Sequence, residues 1–446
     1  MRSFIVMILL VVVVVSCTKD PFRGEDYEAG LLEIEPGDEM FYWLLRSRSR
    51  PNKDPLVVWL SGGPGCSSLV ALFYENGPWT INEDLSLKTN PYSWNEAANV
   101  LYVDQPLGTG FSTTTNPDHY ATNEDELAET FYKFIIKFLE KHPEYKKRAF
   151  YITGESYAGH MIPAISSHFI KKNNTDINLK SVAIGNGWVK PVLQYPAYRE
   201  YAHENKLIGE IDNKVLYAGF WACKQLINFN FKTLAYKQCQ HMLMYSIGGG
   251  TDKSNFNFYD IRKKCDHPPL CYDMSGVDKL LAKPEIQELL GVNPKSTVDP
   301  SSPFNPESVG KDATWKSCRL DIQALMLGDW TNDSSVQVRD TLENGVGVFV
   351  YNGDQDYACN WRGSEDWTSE VFWEHKDCGN GYKCGVQNWM MDEPYQKWVV
   401  DGKEAGEFKK VDNFSFLKVY QAGHMVPMDQ PRNSLVMFKL FLNRAF

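Results

Sequence analysis

The sequence has no excess of positive charge and no cysteine pair spaced to hold zinc. Across its 446 residues, 46 Lys and Arg are outnumbered by 56 Asp and Glu, which gives a formal net charge of −10. Because a nucleic-acid-binding face must be basic, this balance argues against a nucleic-acid partner. None of the ten cysteines forms a C-x-x-C pair, so we expect no metal site, no dithiol redox centre and no cofactor.

Long apolar runs are missing after the first residues. The unbroken apolar run from Phe4 to Val15 follows Arg2 and precedes Ser16 and Cys17. It is shorter than the about 20 residues of a membrane helix, so it favours a signal peptide over residues 1–17. An uncleaved anchor, or a bacterial lipoprotein site with a lipidated Cys17, are the alternatives. We expect a secretory-pathway protein with no membrane span in the mature chain, located in a lysosome or vacuole or outside the cell.

Cysteines and glycosylation sequons agree with export. Nine cysteines remain after Cys17, and in an oxidising compartment eight of them could form four disulfides. Sequons of the Asn-x-Ser/Thr type begin at Asn173, Asn332 and Asn413, although such triplets also arise by chance.

Short apolar runs alternate with segments of helical period. Leu56–Leu60, Asn99–Val103 and Ala149–Ile152 are typical of buried strands, whereas 123–141 carries one apolar face and predicts a helix. A further helix is expected after Ser156. This alternation predicts an α/β fold with a mostly parallel central sheet flanked by helices on both faces.

The alternation stops between about Lys190 and Asp312, in a stretch with four cysteines and a glycine-rich turn. We predict that residues 190–311 form an inserted cap subdomain over the carboxyl edge of the sheet. The core would then consist of a first part, residues 18–189, and a second part, residues 312–446.

Three chemically reactive segments each follow a predicted strand. Ser156 lies in Gly154–Gly159, a pattern typical of a sharp strand-to-helix turn that exposes a nucleophile. Downstream come Asp354 and Asp356, and then His424. The order Ser, Asp, His is that of the α/β-hydrolases, in which His takes the proton of Ser and Asp orients the His. The residues alone do not choose between the two aspartates.

A fourth segment, Ser61–Ser68, places glycines after an early strand. Backbone N–H groups of such a loop can stabilise a developing oxyanion. A phosphate-binding loop is excluded, because the Gly-Lys-Ser/Thr ending and the G-x-G-x-x-G spacing are both missing.

These segments resemble a known family. Trp59–Leu69, Gly154–His160 and Gly423–Pro427 are similar to the signature segments of the serine carboxypeptidases, and Tyr259–Lys263 and Asp356–Trp361 resemble the carboxypeptidase Y branch. The likeness runs from about Tyr27 to the C-terminus. It implies an α/β-hydrolase fold and an enzyme that removes amino acids from the C-termini of peptides or proteins.

The resemblance also implies individual roles. Ser156 would be the nucleophile, His424 the general base and Asp356 its partner. Gly63 and Tyr157 would donate the oxyanion-hole N–H groups, each typically worth about 3 kcal/mol of barrier stabilisation.

A carboxypeptidase must also grip a terminal carboxylate, and the resemblance implies Ser61, Gly62, Glu75 and Glu155 for this task. Two acidic side chains can do so if at least one is protonated, because a neutral carboxylic acid donates a hydrogen bond. Close carboxyl groups raise each other's pKa, so we expect an acidic pH optimum. The family usually has Asn at the position of Ser61, which predicts looser or water-mediated binding. The alternative for Glu155 is a carboxylate at a helix start.

The resemblance places aromatic residues around the acyl side of the substrate. Tyr157, Trp188, Tyr195 and Tyr198 would favour apolar groups, although they could equally be core residues. Trp188 is bulkier than the aliphatic residue expected, which predicts a smaller pocket. Cys359 would be a free thiol beside the leaving-group pocket, with an inert buried cysteine as the alternative.

The disulfide pairs implied by the resemblance are Cys66–Cys318, Cys223–Cys239 and Cys265–Cys271. Cys378 and Cys384 have no counterpart in the family, and we expect a local bridge between them. Sequence does not establish this connectivity.

Two other functions share the fold. Plant acyltransferases of this architecture tend to carry Asp before the nucleophile and Thr in the glycine loop, where this chain has Glu155 and Ser61. A protective binding protein would use the fold to stabilise a partner. Because all three positions of the predicted triad are filled, such a role would add to catalysis. Oligomeric state is not predicted.

Overall fold

The computed structural model describes residues 20–249, 256–267, 271–292, 315–375, 384–385 and 393–446. The predicted signal peptide, residues 1–17, lies outside these ranges. Cys378 and the side chain of Cys384 do as well, so their predicted bridge is not among the described features.

The described strands form one large sheet and three small hairpins. In the large sheet the order is β1-β2-β6-β3-β8-β9-β12-β17-β16-β15, and β7 pairs with β2. The strands are β1 Tyr27–Glu35, β2 Asp38–Leu45, β3 Leu56–Leu60, β4 Trp79–Ile81, β5 Leu87–Thr89, β6 Asn99–Val103, β7 Thr113–Thr114, β8 Ala149–Ser156, β9 Asn178–Gly187, β10 Phe256–Asn257, β11 Asp260–Lys264, β12 Gly347–Gly353, β13 Glu374–His375, β14 Cys384–Gly385, β15 Gln396–Val400, β16 Lys403–Val411 and β17 Phe414–Val419.

The centre of the large sheet is parallel. Strands β6, β3, β8, β9, β12 and β17 all run in one direction, whereas β1, β2, β15 and β16 extend the two edges in antiparallel pairs. In β3 and β6 every residue is buried, as expected for strands that helices cover on both faces. The predicted mostly parallel sheet is therefore confirmed.

Helices surround this sheet. Their bounds are α1 Leu69–Tyr74, α2 Glu124–Lys141, α3 Ala158–Lys172, α4 Pro191–Glu204, α5 Glu210–Asn228, α6 Lys232–Met244, α7 Ser275–Leu281, α8 Pro284–Leu289, α9 Leu320–Leu325, α10 Ser335–Glu343, α11 Trp361–Ser369, α12 Val426–Asp429 and α13 Pro431–Leu442. In the described chain, no helix combines the length and the apolar character that crossing a bilayer requires.

Alternate residues of each central strand enter two separate hydrophobic cores. Val58 of β3 packs in the core that includes Phe131 of α2. Its neighbour Trp59 packs in the opposite core with Phe438 of α13, through Trp94. Both faces of the sheet are thus covered, and the carboxyl ends of its parallel strands are left to form a site.

Between β9 and β12 the described chain adds no strand to the large sheet. This segment instead contains α4 to α10 and the small β10–β11 hairpin. The Tyr201 hydroxyl of α4 donates to the carbonyl of Asp354 at 2.6 Å, so the segment contacts the end of β12. The cap boundaries at residues 190 and 311 stay a prediction.

Candidate active site

Ser156 ends β8 in a strained backbone conformation. Its φ is +63°, in the left-handed region that is costly for a residue with a side chain. Glycine is required at position 154, because a Cβ there would lie 2.1 Å from the carbonyl oxygen of Leu60. Helix α3 begins two residues later, at Ala158. The chain therefore makes the sharp strand-to-helix turn that the motif predicts.

Asp356 and His424 form a buried pair in the loops after β12 and β17. His424 Nδ1 lies 2.8 Å from Asp356 Oδ2, and both side chains are almost completely buried. Asp356 also accepts hydrogen bonds from the Asn186 side chain at 2.8 Å and from the backbone N–H groups of Ala358 and Cys359. These donors hold the carboxylate in one orientation, with one oxygen directed at the imidazole.

Asp354 lies in the same loop but has a different environment. Its backbone N–H donates to Val419, and its side chain accepts from the backbone N–H of Ala422 at 3.3 Å. It thus joins the ends of β12 and β17 and does not contact the imidazole. The geometry brings together His424 and Asp356, the aspartate that the resemblance selects.

Tyr259 contacts both the backbone and the ring of His424. The His424 backbone N–H donates to the carbonyl of Tyr259 at 2.8 Å, and the Tyr259 ring lies 4.9 Å from the imidazole, centroid to centroid. The β10–β11 hairpin, which contributes Tyr259 in its turn, is therefore part of the support for the histidine.

The glycine-rich loop lies directly against Ser156. A Cβ at Gly62 would be 2.4 Å from the backbone nitrogen of Tyr157, so only glycine allows this approach. Gly63 has a φ of +109°. Tyr157 is the N-cap of α3, and the first N–H groups of a helix have no partner within it. The glycine loop and the start of α3 thus lie in contact beside Ser156.

The first disulfide fastens this loop to a distant segment. Cys66 is bonded to Cys318, 252 residues away in sequence. Next to the bond, Arg319 N–H donates to Gly65 at 2.8 Å, and the Gln323 side chain donates to the Gly63 carbonyl at 2.7 Å.

Glu75 and Glu155 place two buried carboxyl groups in contact. Burial raises the pKa of Glu75 to about 7. Burial, and then the charge of Glu75, raise the pKa of Glu155 well above its ordinary value. Apart from this mutual contact, neither oxygen of Glu75 meets a hydrogen-bond donor within the described ranges. The pair can therefore keep a proton and act as a donor in acid.

Ser61 is buried and lines the same cavity as Glu155. Its hydroxyl oxygen accepts a hydrogen bond from the Trp59 indole at 3.2 Å, and its backbone N–H donates to Ser68 at 3.2 Å. The hydroxyl of Ser61 thus has an oriented oxygen and one proton to donate.

Trp188, Tyr195 and Tyr198 form one aromatic wall. Trp188 contacts Tyr195 edge to face, with centroids 4.8 Å apart, and Tyr198 donates its hydroxyl proton to the carbonyl of Ala358. Trp330 completes the wall by stacking on Tyr157 at 5.2 Å. Trp330 was not predicted as part of the site, because nothing in its local sequence pattern separates it from a core tryptophan.

A cavity of about 650 Å³ joins these groups. Its walls include Ser156 and His424, the glycine loop, the three aromatic residues and Cys359. Cys359 is a free, buried cysteine, and burial raises the pKa of its thiol well above the ordinary value. The thiol is therefore kept protonated beside the cavity.

Asn186, a residue that the sequence analysis missed, also belongs to this site. It lies in the buried part of β9 with a φ of +41°, and its side-chain oxygen accepts from the N–H of Gly353 at 3.2 Å. Asn186 therefore links the Asp356 loop to the neighbouring strand. An asparagine followed by glycine at the end of an apolar strand was the available signal.

The other predicted features fall on the surface or in the α4–α8 segment. The structure contains the Cys223–Cys239 bond between α5 and α6 and the Cys265–Cys271 bond. Asn173 is exposed, whereas Asn332 and Asn413 are partly buried.

Away from the cavity, Glu35, Asp38 and His119 cluster closely enough to share an ion, but Asp38 and His119 already bond each other at 2.7 Å.

Comparisons with known proteins agree with this geometry. The family model described as serine carboxypeptidase matches residues 19–444. The chain is 40% identical to serine carboxypeptidase-like 49 of Arabidopsis thaliana, with 92% of this chain and 75% of the relative covered. It is 36% identical to carboxypeptidase Y of Komagataella phaffii, with 94% and 76% covered. Among solved structures, Kex1(delta)p, a prohormone-processing carboxypeptidase from Saccharomyces cerevisiae, superposes with a TM-score of 0.80 at 26% identity, with 95% and 92% covered. The chain belongs to the serine carboxypeptidase family and is a serine-type hydrolase with the α/β-hydrolase fold.

Proposed function

We propose that this protein releases single amino acids from peptide C-termini through a Ser156–His424–Asp356 triad and an acyl-enzyme. The observation that carries the proposal is the buried Asp356–His424 hydrogen bond in the same cavity as Ser156 and Glu155. The cavity thus contains a general base, His424, a nucleophile, Ser156, and a carboxyl group that can hold a proton, Glu155.

In the first step, Ser156 Oγ attacks the carbonyl carbon of the last peptide bond while His424 takes its proton. Asp356 keeps the imidazole oriented and stabilises its positive charge. The negative charge on the carbonyl oxygen is met by the N–H groups of Gly63 and Tyr157. His424 then protonates the departing amine, and the free amino acid leaves. Water next attacks the ester carbonyl of the acyl-enzyme while His424 takes its proton. His424 returns that proton to Ser156 Oγ, which frees the shortened peptide.

The specificity for a C-terminus comes from the carboxyl pair. A protonated Glu155 or Glu75 donates a hydrogen bond to the substrate carboxylate, and Ser61 and the N–H of Gly62 add two more donors. An internal peptide bond would place an uncharged amide at this position, and the chain would have to continue past the buried carboxyl pair. The aromatic wall favours apolar side chains in the substrate.

The protein is also proposed to pass through the secretory pathway and to act in a lysosome or vacuole or outside the cell. The three disulfides among the described residues support an oxidising compartment.

The test is the release of free leucine from acetyl-Phe-Leu between pH 4 and pH 8. We expect release that favours acidic pH and that is lost in Ser156→Ala and with the C-terminally amidated peptide. Asp356→Asn should lower kcat by roughly 10⁴-fold, because the histidine loses its orientation. Asp354→Asn is the matched control and should keep most of the activity.

Ester cleavage or acyl transfer without release from a peptide would contradict the proposal and would favour the acyltransferase or esterase alternative. An equal loss of kcat in Asp354→Asn and Asp356→Asn would contradict the assignment of Asp356.

A further inference from the structure

Tyr351 has a buried hydroxyl group without a partner. The residue is 1% exposed, and its hydroxyl oxygen has no hydrogen-bond partner within the described residues. A buried hydroxyl that is left unpaired destabilises a fold, because it has given up its hydrogen bonds to water. Phenylalanine would fill the same space without this disadvantage. The hydroxyl therefore indicates a role other than stability.

The Tyr351 hydroxyl lies over a neighbouring strand position that has no side chain. Tyr351 of β12 is in register with Gly185 of β9, and a Cβ on Gly185 would lie 2.4 Å from the Tyr351 hydroxyl oxygen. Any other residue at position 185 would therefore displace the tyrosine ring. Glycine at this position lets the hydroxyl reach across β9 towards the next strand, β8.

The residue in register with Gly185 on β8 is Glu155. Tyr151 of β8 and Ala183 of β9 lie in the same core as Tyr351. Glu155 and Gly185 follow them by four and two residues, so all three aligned positions face the same side of the sheet. Because neighbouring strands are about 4.8 Å apart, the Tyr351 hydroxyl and the Glu155 side chain are close neighbours.

The carboxyl pair of Glu75 and Glu155 is short of hydrogen-bond donors. Apart from the contact between the two groups, both oxygens of Glu75 and Oε2 of Glu155 have no donor within the described ranges. Burial, and then the charges of Glu155 and Glu75, raise the pKa of Tyr351 well above its ordinary value. The hydroxyl thus keeps its proton, and it can donate that proton to a carboxylate when one member of the pair ionises.

A second buried tyrosine faces Glu75, but its hydroxyl already has a partner. Burial, and then the charge of Glu75, raise the pKa of Tyr102 well above its ordinary value. The Tyr102 hydroxyl donates to the side-chain oxygen of Asn76 at 2.9 Å. Of these two tyrosines, Tyr351 is therefore the one whose proton is free for the carboxyl pair.

Other charged groups also act on the pair, after the dominant effect of burial. For Glu75, the hydrogen bond with Glu155 and the charge of His424 lower the pKa, whereas the charge of Asp429 raises it. For Glu155, the charge and the hydrogen bond of Glu75 raise the pKa, and so does the charge of Asp356. Removal of the Tyr351 hydroxyl leaves all these groups in place, so a change in titration reports on the hydroxyl.

We propose that the Tyr351 hydroxyl donates a hydrogen bond to the Glu75–Glu155 pair once one of its members has ionised. Tyr351 does not line the cavity, so it is a positioning residue that acts through the two carboxyl groups. Because it stabilises the ionised pair, it lowers the pH above which the site stops donating to a terminal carboxylate. The effect on substrate rests on the proposed function, whereas the contact with the pair does not.

The test is Tyr351→Phe, with KM for acetyl-Phe-Leu measured from pH 5.5 to pH 9. Without the hydroxyl the ionised pair loses a donor, so the midpoint of the rise in KM should move to higher pH by about one unit, a tenfold change in the proton affinity of the pair. The infrared C=O absorption of protonated carboxyl groups follows the pair without substrate. Its difference between each protein and the same protein with Glu75→Gln should show the same shift.

Tyr151→Phe is the matched control. Tyr151 lies on the same face of the sheet, and its hydroxyl donates to the carbonyl of Leu442 at 3.0 Å. This variant should lower the Tm, because it leaves that carbonyl without its donor, and should keep both midpoints in place. Tyr351→Phe should keep or raise the Tm at pH 5, because it removes an unpaired hydroxyl.

An infrared midpoint that stays in place or moves to lower pH in Tyr351→Phe overturns the inference. A fall in Tm as large as that of Tyr151→Phe does so too, since the hydroxyl would then have a structural partner. If the infrared midpoint moves to higher pH and KM does not follow, the contact is supported but its effect on substrate is refuted. If the infrared midpoint moves and no peptide is cleaved, the contact is supported and the proposed function fails.

Discussion

The contact between Glu75 and Glu155 makes one proton part of the proposed substrate site. With both carboxyl groups buried, ionisation of both would put two negative charges together without water. The pKa of Glu75 is raised to about 7, so this group is neutral in acid and ionises as the pH passes neutrality. Once ionised, it repels the substrate carboxylate that it held before.

KM for acetyl-Phe-Leu is therefore expected to rise by about tenfold between pH 5.5 and pH 8, the effect of titrating one group with a pKa near 7. Glu75→Gln should flatten this dependence, because an amide donates at every pH. The measurement is KM across this range, determined separately from kcat.

Glu83→Gln serves as the control, since Glu83 is exposed near the same segment and should leave the pH dependence as it is. A KM that rises equally in Glu75→Gln would show that the pair does not bind the carboxylate.

The reactive residues differ in how far the sequence could identify them. Ser156 and His424 follow strands that their apolar runs reveal, so their placement was predictable. The choice between Asp354 and Asp356 was not, because it depends on the course of the turn after β12. There, the N–H groups of Ala358 and Cys359 orient Asp356. The family resemblance selected Asp356 over Asp354, because the local sequence around the two residues did not distinguish them.

Among the secondary-structure elements, two sequons lie in contrasting surroundings. Asn173 follows α3 as an exposed residue with a φ of +48°. Asn413, in the turn between β16 and β17, donates its side-chain amide to the carbonyls of Leu342 and Val346 at 3.2 and 3.0 Å. A glycan on Asn413 would replace one of the two N–H donors of this amide and would lie against the end of α10.

We therefore expect a glycan on Asn173 and little or none on Asn413 when the protein is expressed through a eukaryotic secretory pathway. Mass spectrometry of tryptic glycopeptides, before and after enzymatic deglycosylation, measures both occupancies. Asn173→Gln should remove one glycan and leave Asn413 unoccupied. High occupancy at Asn413 together with an empty Asn173 would contradict the argument from local structure.

The strands that the sequence predicted are those buried on both faces. The bounds of β3 and β6 match the apolar runs Leu56–Leu60 and Asn99–Val103, because continuous burial requires continuous apolar character. The antiparallel edge strands were not predicted. β1 is mostly half-exposed, and β16 has lysines at both ends and no steady alternation, so neither shows a clear strand period.

At the scale of the whole molecule, the cavity was beyond prediction. Its lining joins residues 244 and 320, and its glycine loop is bonded to the segment at residue 318. Such contacts depend on how the α4–α8 segment packs against the core. Local period and propensity carry no information about that packing, whereas the fold class followed from the alternation of strands and helices.

Buried carboxylic acids are distributed through the whole molecule and share one pH response. Burial raises the pKa of Asp104 to about 7 and that of Glu124 to about 8, and the pKa values of Glu75 and Glu155 are also raised. In the unfolded chain these groups ionise near pH 4, so between about pH 4 and pH 8 the folded protein binds more protons. Folding stability therefore falls as the pH rises through this range.

Carboxylates with lowered pKa act in the opposite direction at lower pH. Hydrogen bonds from Tyr42 and Lys141 lower the pKa of Glu28 against the effect of its partial burial, and bonds from Arg262 and Lys263 do the same for Asp260. The stability that these groups contribute is present above about pH 4 and is lost as they become protonated. The two sets together place maximum stability near pH 4.

We expect the Tm of the protein to be highest near pH 4 and to fall by about 5 °C or more by pH 8, since each unit of pKa shift is worth about 1.4 kcal/mol. Glu124→Gln should reduce this slope, because the amide has no proton to lose. Asp125→Asn, an exposed neighbour on the same helix turn, is the matched control and should keep it. Calorimetry at constant ionic strength measures both. A Tm that stays level or rises from pH 5 to pH 8 would mean that these buried acids are already ionised in the folded protein, and the protonated carboxyl pair of the proposed site would lose its support with them.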